Sequence, residues 1–385
     1  MIYKNALIVT HDKEFIGYIE IDEQTGNILN IKKGKTTKKG IDCTNKIIMP
    51  GFIDSHTHGG YGLDFTDIDQ KDFDKNWKEY ESNLSKEGVV GVFGASVTVS
   101  TDRLKNIALS FRKAINKYED TLLGWYMEGP FISIEKKGAH DKTLIKPIDE
   151  DILNWLKNNF FNKLIIVIAA ENNDLDLLKK YSDIFEYSIG HSNAYNLSKN
   201  GMINNFSRVT HLYNACSSFH HRNDSIVNTI LTYKPLPNNF SVEIIGDGMH
   251  TSNDVLEFTY KNIEKHNLTI VSDSLAQKGL SDGYYMLGSL ETEKKGDLFY
   301  LKNTNTISGS GKPYNRIVDN FKKACNPTWS ELVYFTSYNI AKKYGLLDKY
   351  GTIKENKKAN FILIDKDINV ELFYKNGELI YKKQD

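Results

Sequence analysis

The sequence predicts an α/β fold, a (β/α)8 TIM-like barrel with a small β-sandwich domain built from both termini. Three observations predict it. Short apolar runs recur through the middle of the chain, separated by longer polar stretches with helical spacing. There are eight such runs, the number that closes a parallel sheet on itself. Both ends of the chain read instead as short strands joined by turns.

Taken in order, residues 1–50 open the small β domain. Ala6–Val9, Gly17–Ile21 and Ile28–Lys32 read as strands, the last two separated by the turn-like Gln24-Thr25-Gly26-Asn27. Residues 51–345 form the barrel. Its strands are expected at Ile47–Asp54, Val89–Ser96, Leu122–Glu128, Leu164–Glu171, Phe185–Gly190, Arg208–Leu212, Val242–Gly246 and Leu268–Ser272. Continuous apolar runs with polar ends suit strands buried on both faces. Asp151–Asn158, Leu175–Tyr181 and Asp254–Lys265 carry the spacing of amphipathic helices between them. Residues 346–385 return to the β domain. Asn360–Ile364 is a strand, and Asn376-Gly377 joins Val370–Tyr374 to Leu379–Tyr381 in a hairpin.

Composition narrows the function. The 385 residues are 40% hydrophobic and 25% charged, which supplies a large core without disorder. Lys+Arg and Asp+Glu both number 49, so no net charge draws the protein to nucleic acid or to an anionic membrane. Cys43, Cys216 and Cys325 are far apart and form no disulfide framework. Neither a signal peptide nor an apolar run of membrane-spanning length is present. A soluble cytoplasmic protein is expected.

The histidines carry the chemistry. Eight of ten follow one of the apolar runs: His56 and His58, His140, His191, His211, His220 and His221, and His250. Asp54, Glu128, Asp247 and Asp273 also stand at run ends. A parallel barrel gathers every strand's C-terminal end on one rim. Imidazole and carboxylate are the usual ligands of catalytic divalent metals. In His56-Thr57-His58 the alternation of a strand aims both rings to one side. A lone histidine is more often a surface or hydrogen-bonded core residue, and His-x-His alone is weak. His-x-His, then a strand-end Glu, two strand-end His and a strand-end Asp form a specific ordered set.

These residues resemble a known family. Pro50-Gly51-Phe52-Ile53-Asp54-Ser55-His56-Thr57-His58-Gly59-Gly60 is similar to the first strand of the amidohydrolase superfamily. Glu128-Gly129-Pro130, Lys136-Lys137-Gly138-Ala139-His140, Gly190-His191-Ser192, Thr210-His211-Leu212-Tyr213-Asn214-Ala215, His220-His221-Arg222, Gly246-Asp247-Gly248-Met249-His250 and Ser272-Asp273-Ser274 narrow it to the N-acetylglucosamine-6-phosphate deacetylases. The resemblance spans nearly the whole chain. It implies Glu128, His191 and His211 as ligands of a main divalent metal. It also implies His56 and His58 as a second metal position that some members keep, so one or two ions. Zn2+ suits these ligands first, and Fe2+, Mn2+ or Co2+ would accept them. Asp273 matches the catalytic acid/base, which would relay a proton from the attacking water to the leaving nitrogen. Ala139, His140, Asn214, Ala215, Arg222, His250, Ile307, Ser308 and Gly309 match positions that hold an amino-sugar phosphate. Arg222 matches an arginine that reaches the neighbouring subunit's site, which implies a homodimer.

The sequence departs from the family at Ile307-Ser308-Gly309-Ser310, at Leu275, Gln277 and Lys278, and at Cys216-Ser217-Ser218. The metal set is untouched, while the identity of the sugar is less constrained. Alternatives are an N-acetylgalactosamine-6-phosphate deacetylase, a cyclic-amide hydrolase or dipeptidase, and a non-catalytic binding protein on the same barrel. The second group commonly uses a carboxylated lysine at the end of strand four, where this chain has Ala170-Glu171-Asn172.

Overall fold

The computed structural model describes residues 1–237 and 239–384. Eight parallel strands form one sheet, here numbered β1 to β8: Phe52–Thr57, Val89–Ser96, Leu122–Met127, Leu164–Ile168, Glu186–Ile189, Arg208–Val209, Ser241–Ile245 and Leu268–Val271. Nearly every residue in them is buried, because helices cover the outer face and side chains fill the interior. The sheet closes between β8 and β1. There the Asp273 N–H donates to the His56 carbonyl at 2.9 Å and the His58 N–H to the Ser274 carbonyl at 2.8 Å. Asp54 staples the same seam by accepting the Ser272 N–H at 3.1 Å and the Ser272 hydroxyl.

The helices form where the chain supplies both an apolar stripe and a cap. The helix after β2, Thr101–Lys117, starts at Ser100, whose hydroxyl accepts the Arg103 N–H. The next, Glu150–Asn159, starts at Asp149, which accepts the Ile152 N–H. Phe73–Glu87, before β2, ends at Gly88 in the left-handed region (φ 76°).

The chain ends form a second sheet. In space its strands run Glu378–Lys382, Val370–Lys375, Phe361–Ile364, Ile47–Pro50, Ile2–Val9, Glu14–Ile21 and Ile28–Lys33. Ile19 and Ile28 from one end of that order share a core with Phe361, Leu372 and Tyr374 from the other, so the sheet wraps on itself as a small sandwich.

One sequence expectation needs correction. The first barrel strand was expected over Ile47–Asp54. Ile47–Pro50 instead pairs with Ile2–Val9 and Phe361–Ile364, and the barrel strand starts at Phe52. Both halves are apolar, so hydropathy alone cannot divide them. The stretch after β8, to which the sequence analysis assigned no element, holds a further sheet. A four-stranded antiparallel sheet spans Gly283–Leu287, Leu290–Lys295, Leu298–Leu301 and Ile307–Ser310. Its strands, such as Leu290-Glu-Thr-Glu-Lys-Lys295, read as polar loop because only one face packs.

No helix among the described residues is long and apolar enough to cross a membrane.

Candidate active site

At the C-terminal rim of the barrel the strand ends turn inward sharply. His191, His211 and Asp273, which follow β5, β6 and β8, have φ of 46°, 27° and 50°. Non-glycine residues seldom occupy this region, and such strain concentrates at functional sites. Here it turns each side chain over the mouth of the barrel.

Glu128, at the end of β3, is the hub. Its Oε1 lies 3.1 Å from His191 Nε2 and 2.9 Å from His211 Nε2, and its Oε2 lies 2.9 Å from His58 Nε2. The two outer imidazoles have fixed tautomers. His191 Nδ1–H donates to the Lys136 carbonyl at 2.8 Å, and His211 Nδ1–H donates to the Asn214 carbonyl at 3.2 Å. Each Nε2 is therefore the ring atom left to ligate a cation, and these two nitrogens stand 3.2 Å apart. Two ring nitrogens this close, both against one carboxylate oxygen, need a proton or a cation between them. Nitrogens about 2.0–2.1 Å from one tetrahedral ion would stand at a similar spacing.

A second group adjoins it. His56 Nε2 is 3.6 Å from both Glu128 Oε1 and Asp273 Oδ1, and His58 Nε2 is 3.3 Å from Asp273 Oδ1. His56 Nε2 is buried without a hydrogen-bond partner. Ligand atoms of His56, His58, Glu128 and Asp273 lie within 4.8 Å of one another. These donors fit a divalent cation.

Burial alone would raise the Asp273 carboxyl, but the neighbouring His56 and His58 imidazoles outweigh it and hold the group well below its usual range. Glu128 is held low in the same way, with burial opposed first by His56. His140 differs. Burial takes it down to about 4, so it is neutral at pH 7. Its Nδ1 accepts the Thr98 N–H at 3.2 Å and contacts the Thr98 hydroxyl at 2.8 Å. The proton must then sit on Nε2, 3.7 Å from Glu128 Oε2. His140 Nε2 is thus a donor rather than a metal ligand, despite its closeness to Glu128 and His191. Gly129 allows this approach, since a Cβ there would meet Thr98 Oγ1 at 2.1 Å.

A cavity of about 430 Å³ opens above these groups. Ala139, His140, Asn214, Ala215, His250, Ile307, Ser308 and Gly309 line it together with His58, Glu128, His191, His211 and Asp273. His56 sits beneath, fully buried. His250 is steered by Asp247, which accepts its Nδ1–H at 2.7 Å. The Ser310 N–H donates to the Asp273 carbonyl at 3.0 Å, and a Cβ on Gly309 would meet the Leu275 side chain at 2.6 Å. Arg222 is outside the lining and exposed. His220, two residues before it, spends its Nδ1 accepting the Arg222 and Asn223 N–H groups at 3.1 Å.

The residues that depart from the family motif have structural work. Leu275 packs with Val97, Leu287 and Phe299 under the inserted sheet. Gln277 donates to the Met286 carbonyl. Lys278 is buried and pairs with Glu87 at 2.9 Å. Ser217 donates to the Ala194 carbonyl and accepts the Ile226 N–H. Sequence reasoning passed over Thr98 and Glu243, which orient His140 and His56. Glu243 left one signal, a carboxylate in the middle of the apolar run Val242-Glu243-Ile244-Ile245.

Residues 244–382 match the amidohydrolase family. An N-acetylglucosamine-6-phosphate deacetylase of Bacillus subtilis (strain 168) is 27% identical, with 99% of this chain and 97% of that protein aligned. One from Caenorhabditis elegans is 29% identical over 90% of this chain and 85% of its own. The crystal structure of the Thermotoga maritima N-acetylglucosamine-6-phosphate deacetylase superposes with a TM-score of 0.86, at 31% identity and complete coverage of both chains. A Mycobacterium smegmatis deacetylase, solved with N-acetyl-D-glucosamine-6-phosphate, has a TM-score of 0.87 at 21% identity, covering 99% of each chain. The chain belongs to the N-acetylglucosamine-6-phosphate deacetylase family of the amidohydrolases.

Proposed function

We propose that the chain hydrolyses the acetamido group of N-acetylglucosamine 6-phosphate, giving glucosamine 6-phosphate and acetate. The observation that carries this reading is the floor of the cavity. Two imidazole Nε2 atoms and a shared carboxylate face one another there, with Asp273 beside them. Family membership supplies the substrate.

Glu128, His191 and His211 would hold one divalent ion, and His56 and His58 a second. Zn2+ fits the imidazole and carboxylate donors best. When bound, such an ion polarises a carbonyl and lowers the pKa of water to about 7. The remaining steps belong to the side chains. Asp273, ionised, takes the proton of the attacking water at a carboxylate oxygen. It then gives that proton to the departing nitrogen, which leaves poorly as an anion. The neutral His140, with its proton on Nε2, donates to the developing oxyanion at no cost in charge. Ser308 Oγ, buried without a partner, is available to a sugar hydroxyl. Ala139, Asn214, Ala215, His250, Ile307 and Gly309 shape the rest of the sugar-phosphate pocket. Arg222 is assigned to the phosphate of a neighbouring copy, so the working unit is a homodimer. Three buried, widely separated thiols suit a reducing cytoplasm.

The test is acetate release from a panel of N-acetylhexosamine phosphates by the metal-loaded protein. The gluco 6-phosphate should turn over fastest. Preference for the galacto epimer would reassign the sugar, and no release from any member would end the hydrolase reading.

A further inference from the structure

The interior of a barrel is ordinarily filled by branched apolar side chains. Beneath the His56 side of this site it holds charge instead. Glu243 on β7 is fully buried, and its two oxygens serve different partners. Oε1 accepts from Arg208 Nη1 at 2.6 Å. Oε2 meets His56 Nδ1 at 3.2 Å, the Tyr126 hydroxyl at 3.1 Å and the His211 N–H at 3.3 Å. Arg208, also fully buried, donates to the Tyr344 hydroxyl at 2.8 Å and to Ser55 Oγ at 3.3 Å, and its Nε–H reaches Glu186 at 3.5 Å.

An ionised carboxylate only accepts hydrogen bonds. Against Glu243, His56 Nδ1 must therefore carry a proton, so Nε2, which faces Glu128 and Asp273, is the ring atom that would ligate a cation. Tyr126 fixes the plane of the ring by stacking on it, with centroids 4.0 Å apart and planes 15° from parallel. His58 has no such support, because its Nδ1 is buried without a hydrogen-bond partner. The two histidines of the clamp are therefore unequal. One is aimed from behind by a carboxylate and a ring, and the other only by the backbone just beyond β1.

We propose that Glu243, clamped by Arg208, is a positioning residue that sets His56 as a ligand and so determines whether this chain holds a cation at the His56–His58 position. The proposal rests on the reading of the site as a divalent-cation site. It does not depend on which substrate is cleaved.

Glu243→Gln is the diagnostic change. Arg208 requires an acceptor, so the amide oxygen would turn to it and leave the NH2 facing His56 Nδ1, the reverse of what a ligand tautomer needs. The full-length protein is stripped, reloaded with Zn2+ alone and assayed for ions per chain and for affinity by chelator competition. Folding is checked by circular dichroism. The affinity at the His56–His58 position should fall roughly 10- to 100-fold in Glu243→Gln, the range found when a partner behind a ligand is removed. Glu243→Asp, which keeps an acceptor, should recover part of the loss. If Glu243 acts through His56, then adding Glu243→Gln to His56→Ala should lower affinity no further. Unchanged Zn2+ affinity in folded Glu243→Gln, or additive losses in the double variant, would overturn the proposal. If Glu243→Gln does not fold, Glu243→Asp and its combination with His56→Ala decide the question by the same criteria. Because only the metal is measured, failure of acetate release would leave these outcomes readable.

Discussion

Asp273 is the residue on which the proposed chemistry turns, and its backbone is as telling as its side chain. A φ of 50° at the end of β8 is held from two sides, by the Asp273 N–H bond to His56 and the Ser310 N–H bond to the Asp273 carbonyl. The carboxylate stays ionised although buried, because His56 and His58 overcome the cost of burial. Asp273→Asn keeps the shape and removes the proton acceptor. We expect kcat to fall by about 10²- to 10⁴-fold, the usual contribution of general acid–base catalysis, with the ion at Glu128, His191 and His211 retained by mass spectrometry. Near wild-type turnover would remove Asp273 from the role. Ligand-type residues such as His191 and Asp273 were legible in the sequence because they stand at run ends. Glu243 was not, because its position inside an apolar strand looks like any interruption until Arg208 is seen against it.

At the scale of elements, the loop after β8 shows how a motif departure becomes architecture. Lys278 reads in the sequence as a charge intruding beside the catalytic segment. In the fold it is buried and bound to Glu87 at the end of the helix Phe73–Glu87. Glu87 also accepts the Tyr61 hydroxyl and the Tyr314 N–H, both at 2.5 Å. The Tyr61 N–H bonds back to the Lys278 carbonyl at 2.7 Å. One ion pair therefore ties together the loops after β1 and β8, a helix, and the start of Tyr314–Cys325. Its value lies in completeness rather than in net attraction, since a buried pair barely exceeds the cost of its own desolvation. Lys278→Met should cost about 3–5 kcal/mol in urea unfolding, the penalty for leaving one buried partner alone. A loss below about 1 kcal/mol would mean that water or a rearranged side chain satisfies Glu87. The inserted sheet above this loop escaped sequence reasoning for a related reason. Its strands bury one narrow face and show Glu and Lys on the other, so they lack the apolar run by which the barrel strands announce themselves.

At the scale of the whole molecule, the barrel was legible because eight buried strands leave eight apolar runs, and the terminal sheet because both ends alternate and turn. The seam between them was not, since Ile47–Pro50 and Phe52–Thr57 are equally apolar and only pairing separates them. Among the described residues, the cavity within one chain offers a phosphate one lysine, Lys136, but no arginine. The cavity is lined by His250 and Asn214, while Arg222 stands outside it on an exposed segment beside the exposed Phe219. A guanidinium suits phosphate through paired hydrogen bonds. If a second copy brings its Arg222 to the first copy's mouth, Arg222→Ala should act on the phosphate alone. We expect the KM for the 6-phosphate to rise roughly 10- to 100-fold, as for a lost hydrogen bond to a charged group worth about 1.5–3 kcal/mol, with kcat little changed. The KM for the unphosphorylated sugar should stay within about twofold. Mixing Arg222→Ala with Asp273→Asn subunits then separates action within a chain from action between chains. A heterodimer would contain one site with an intact Asp273 and a partner's intact Arg222, so a fraction of sites should recover the wild-type KM. If the mixture shows only the high KM of Arg222→Ala, the arginine serves its own subunit and the shared site is wrong.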